Sequence, residues 1–87
     1  MVKINDKFKL ELVNGHTVIV NSDDNSVCGT VDFNEIKTFL WGISKENNLT
    51  KQEMLDKILN KFDISTVLAL GEIDHFIRKI KELGIVS

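Results

Sequence analysis

The sequence contains no proline and one cysteine, its five glycines stand apart, and basic residues do not outnumber acidic ones. Each shortage excludes something. Without proline, no helix is interrupted by a missing amide and a ring clash with the preceding turn. A single cysteine, Cys28, rules out an intrachain disulfide and fits a reducing compartment, with the cytoplasm as the natural home. Isolated glycines build no phosphate-cradling loop. Lys and Arg number 11 against 13 acidic residues, a net charge of −2, whereas a domain built to hold phosphate backbones carries a basic excess. No apolar run approaches the ~20 residues that span a bilayer. The first eight residues mix charged with apolar side chains and lack the apolar segment of a signal peptide.

What is present reads as one globular domain over residues 1–87, 43% hydrophobic and 28% charged. From Lys7 to Phe33 the period is two. Phe8, Leu10 and Leu12 alternate with Lys7, Lys9 and Glu11, a half-buried strand. Asn14-Gly15 precedes a second strand through Val18 and Val20. A three-residue loop, Val13-Asn14-Gly15, pairs Leu10 with Val18 and Phe8 with Val20, gathering the apolar residues on one side, and is preferred over a two-residue loop. Asp23-Asp24-Asn25 reads as a turn, because the glycine and distal glutamate of a calcium loop are missing. A third strand over residues 27–33 places Val27, Gly29, Val31 and Phe33 on one face and turns Cys28 away from the core.

At Asn34, a helix cap, the period becomes 3.6. Ile36, Phe39, Leu40 and Ile43 form the stripe of a first helix, with Trp41 off it, and residues 44–48 form a polar loop. Thr50 and Glu53 form a capping box, with Leu49 and Met54 as its hydrophobic staple. Met54, Leu55, Ile58, Leu59 and Phe62 then mark a second helix. Ser65 caps a third, whose stripe runs through Ala69, Leu70, Ile73, Phe76, Ile77, Ile80 and Leu83 to a stop at Gly84. Strands followed by helices predict an α+β fold, a three-stranded antiparallel sheet and then three helices.

Catalytic chemistry is hard to assemble from these residues. His16 sits beside a turn and His75 on the polar side of the last helix, neither with a partner at triad or metal-ligand spacing. Cys28 has no activating base. Glu72, Asp74 and Glu82, interspersed with Arg78, Lys79 and Lys81, read as a solvated face. The expectation is no enzyme, no metal and no cofactor. Binding is better served. The third strand is the last before the helices and a candidate sheet edge, onto which an extended peptide can add. Gly29 permits close backbone approach there. Gly71 reads either as a neutral surface glycine or as room for a neighbouring chain, and Val67 and Leu68, off the main stripe, either as groove lining or as plain packing.

Three stretches together resemble the PqqD-like family, also called RiPP recognition elements. These are Phe39-Leu40-Trp41, then Thr50-x-x-Glu53-Met54-Leu55, then Phe62-Asp63-Ile64-Ser65 with Ala69, Ile73, Phe76-Ile77, Ile80 and Gly84-Ile85-Val86. The resemblance covers about half the chain, from Phe39 onward; before that only the strand pattern matches. It implies a winged-helix-like domain that binds the leader of a ribosomally made precursor peptide as an added strand. The leader would be presented to a peptide-modifying enzyme or leader protease, the chain being a stand-alone version. By position, the groove it implies lies between Val27, Cys28, Gly29, Thr30, Val31, Asp32 and Phe33 on the strand and Leu68, Gly71, Glu72, His75 and Phe76 on the last helix. The net charge favours a leader with some basic character. Two other readings stand beside this one: a winged-helix nucleic-acid binder, disfavoured by the acids on the last helix, and a subunit that forms a homodimer through the same sheet edge.

Overall fold

A computed structural model describes residues 2–86. Strands β1 (Phe8–Val13), β2 (His16–Asn21) and β3 (Val27–Val31) precede helices α1 (Glu35–Glu46), α2 (Lys51–Lys61) and α3 (Thr66–Glu82). The sheet is antiparallel, in the order β1-β2-β3. The α+β expectation therefore holds.

All three helix starts are capped by the side chains expected. Asn34, Thr50 and Ser65 each accept from the backbone amide three residues on, and Thr50 with Glu53 completes the capping box. Gly84 closes the C-terminal end of α3 at φ 68°, a left-handed conformation that costs glycine little. Helix α1 runs to Glu46, so most of the expected polar loop is helical. Trp41, read as off the stripe, is buried. Its ring meets Phe33 with centroids 6.3 Å apart, because α1 is covered on more than one side and buries a wider arc than one stripe. Leu59 and Leu70, read as core, are partly exposed at 37% and 39%.

The hairpin corrects the expected register. β1 pairs with β2 through Leu10↔Ile19, Glu11↔Val18 and Lys9↔Val20, so the loop is the two residues Asn14-Gly15, both left-handed at φ 51° and 79°. Positive φ at both loop residues is the geometry that Asn-Gly tolerates best and that matches strand twist. Ile19, not Val18 or Val20, joins the core, and Leu12 is 75% exposed. Val18 and Val20 point to the other face beside Glu11 and Lys9, which pair at 3.2 Å. Both valines are nonetheless buried. The central strand has neighbours on each side, and the alkyl stems of long charged residues cover apolar surface while their heads stay wet. β2 is apolar on both faces, so its apolar residues do not gather on one side.

A bulge between Ile19 and Val20 corrects the third strand as well. Val20 pairs with Val27 and Ile19 with Gly29, leaving Cys28 as the extra residue. One extra residue reverses the alternation. Val27 therefore shares the outer face with Val20 and is 62% exposed, while Cys28 packs against the core.

The first residues carry structure that their pattern did not announce. Val2 bridges Leu49, Ile4 bridges Val86, and the Ile4 amide donates to the Ser44 carbonyl at 3.0 Å. Ile4 and Ile85 are fully buried. Lys45 Nζ donates to the carbonyls of Asp6, at 3.0 Å, and Phe8, tying α1 to the entry of β1. Truncating Ile4 to Ala is expected to cost about 2–5 kcal/mol, the range for a deleted core side chain. Leu12→Ala, by contrast, is expected to change stability by no more than about 0.5 kcal/mol. Urea denaturation of both variants measures the difference, and equal losses would contradict this register.

Candidate functional site

Among the described residues β3 has β2 on one side only, so its far edge is unpaired within the sheet. Side chains of α3 and of its C-cap, Leu83, face this strand and its exit. At Gly29 an added Cβ would lie 3.0 Å from Cδ2 of Leu83, so the glycine lets the last turn of the helix approach the strand closely. The strand, its exit, α1 and α3 together enclose a groove of about 250 Å³, lined by Thr30, Asp32, Phe33, Lys37, His75 and Lys79. A contiguous depression on the hairpin side of the same stretch takes in Gly15, His16 and Thr17.

The groove is held open by the chain segment that leaves β3. The Phe33 ring packs against Phe76, centroids 5.7 Å apart, as well as against Trp41. Asn34 then does two jobs. Its Oδ1 accepts from the Lys37 amide at 2.9 Å, capping α1, while its Nδ2 donates to Glu72 Oε1 at 3.0 Å. Lys37 Nζ lies 2.7 Å from Glu72 Oε2. Glu72 thereby fastens α3 to the start of α1. Burial pushes its carboxyl upward, but the hydrogen bonds from Lys37 and Asn34, with the positive fields of Lys37 and His75, outweigh that and hold it below its ordinary value.

The residues singled out from the sequence divide by depth. Thr30, Asp32, Phe33 and His75 line the groove. Leu68, 63% exposed, lies one turn before Glu72 and two before His75, which places it on the same side of α3. Val27 is exposed at the far end of the strand, and nothing approaches the Cβ position of Gly71. Cys28 and Gly29 are half-buried, Glu72 sits under Lys37 and Asn34, and Val31 and Phe76 are core. Phe76, fully buried, bears on the groove only by supporting Phe33. Lys37 and Lys79 also line the groove. Lys79 shares a face with His75 four residues earlier, so helical spacing could have found it. Lys37, on another helix, could be found only once the fold was formed. With Asp32 and Glu72 against Lys37 and Lys79, the groove has no acidic surplus, unlike the whole chain.

Among the described residues, no three His, Cys, Asp or Glu side chains converge as metal ligands, and no helix is long and apolar enough to cross a membrane. Neither a protein-family profile nor a curated protein matches the chain. Among solved structures, TbiB1 in complex with the TbiA(beta) leader peptide superposes with a TM-score of 0.67 at 14% identity, covering 98% of this chain and 94% of that one. At that identity the likeness is one of fold.

The lowered Glu72 carboxyl has a consequence for stability. A group whose folded pKa is depressed stabilises the fold above its ordinary pKa, ~4.3 for Glu, and loses that contribution as pH falls toward the folded value. Glu72→Gln is expected to cost about 1–3 kcal/mol at pH 7, as for hydrogen bonds to a charged group. It should also flatten the pH dependence of the urea midpoint below about pH 4.3. An unchanged acid limb would show that the Glu72 junction contributes nothing.

Proposed function

We propose that this chain binds the leader segment of a ribosomally made precursor peptide as a fourth strand on the free edge of β3. It holds the leader for a peptide-modifying enzyme or leader protease and takes no part in the chemistry itself. The observation that carries this reading is the unpaired edge of β3 running beside a groove walled by α3. An added strand satisfies the edge amides and carbonyls with its own backbone, which supplies affinity for many sequences. Side chains pointing toward α3 meet Phe33, His75 and Lys79, which supply selectivity. That TbiB1, of the same fold, was solved with a leader peptide supports the reading.

A second reading rests on β1. That strand is also an edge, and exposed Leu12 and Val13 at its end could pair with a second copy of the chain. A mass that rises with concentration, unaffected by a leader, would favour this homodimer.

The test is an ¹⁵N-amide titration with synthetic leaders from precursor genes adjoining this one. Shifts are expected on residues 27–33 and along α3 from Leu68 to Lys79. N-methylating alternate leader amides should then weaken binding about tenfold or more in one register, since each removes a buried hydrogen bond and adds a clash, and spare it in the other. Equal tolerance of both registers would show that the peptide does not bind as a strand.

A further inference from the structure

Beyond the end of β3, on the far side of Asn34, lies a second and larger depression of about 660 Å³. Phe33 lines both it and the groove beside α3, so the two adjoin at this residue. Its walls are Phe39 from α1 and Phe62 at the end of α2, packed edge-to-face with centroids 5.7 Å apart. Lys61 sits over both rings, Nζ 5.5 Å from one centroid and 5.9 Å from the other, and pairs with no carboxylate among the described residues. Glu35 and Thr38 complete the lining.

We infer that this depression is a second peptide subsite, which receives a large apolar side chain, preferably aromatic, from the segment adjoining the added strand. The identity of that segment rests on the leader-binding reading; the chemistry of the subsite does not. Aromatic walls reward another ring through offset or edge contacts beyond the area they bury. The Lys61 ammonium, already over the rings, is placed to meet a carboxylate next to the inserted side chain. Phe33, common to both linings, joins the subsite to the strand groove. The subsite extends recognition beyond the strand, where backbone pairing alone discriminates poorly.

Three tripeptides test the subsite directly: acetyl-Asp-Phe-Ala-amide, acetyl-Lys-Phe-Ala-amide and acetyl-Asp-Ala-Ala-amide, titrated into the ¹⁵N-labelled chain. The first is expected to shift the amides of Glu35, Thr38, Phe39, Lys61 and Phe62. The second should bind about two- to fivefold more weakly, the contribution of an exposed ion pair, and Lys61→Glu should reverse that order. The third should not shift them. Lys61 is exposed, so this substitution leaves the core intact. Absence of shifts at these amides with the phenylalanine peptides, while a leader still perturbs β3, overturns the subsite and leaves strand addition standing. Shifts here with the tripeptide but none on β3 with any leader support the subsite and count against the strand-addition reading alone.

Discussion

Everything around the groove depends on how the chain leaves β3. Within four residues, Val31 ends the strand in the core, Phe33 drops its ring against Phe76 and Trp41, and Asn34 caps α1 while donating to Glu72 of α3. One short segment thus ties the end of the sheet to α1 and α3, while the Leu83 side chain at the α3 C-cap packs against Gly29. A half-buried carboxylate is tolerable there because its oxygens find an amide and an ammonium, which offset the desolvation that partial burial imposes.

The sheet shows a second constraint. A bulge at Cys28 and a two-residue turn at Asn14-Gly15 together decide which face each strand residue meets. Both devices add twist or reset phase, and both act on a strand, β2, whose side chains are buried on its two faces. Cys28 becomes a core filler and Val27 a surface residue, the reverse of simple alternation.

Charge is organised locally. The chain carries a net −2, yet the surfaces around Phe33 present Lys37, His75, Lys79 and Lys61 along with Asp32 and Glu35. Lys37 is neutralised by Glu72, whereas Lys61 rests on aromatic faces. Net charge therefore says little about which residues of a partner these surfaces would accept, since complementarity acts over a few ångströms at the contact.

The sequence by itself determined the elements and their order, because caps and periodicity are local. Asn34, Thr50, Ser65 and Gly84 mark helix ends through hydrogen bonds or backbone angles set within a turn or so. The family resemblance, not periodicity, pointed to β3 and α3; Thr30, Asp32, Phe33 and His75 do line one depression, and their part in binding is the proposal. Only the tertiary structure decided the hairpin register, the phase of β3 after its bulge, the burial of Trp41, and the use of Val2 and Ile4 as strand-like bridges. It alone brought Lys37 to Glu72 and Phe39 to Phe62. These depend on pairings between residues distant in the chain, where several arrangements satisfy the same local pattern and packing selects one.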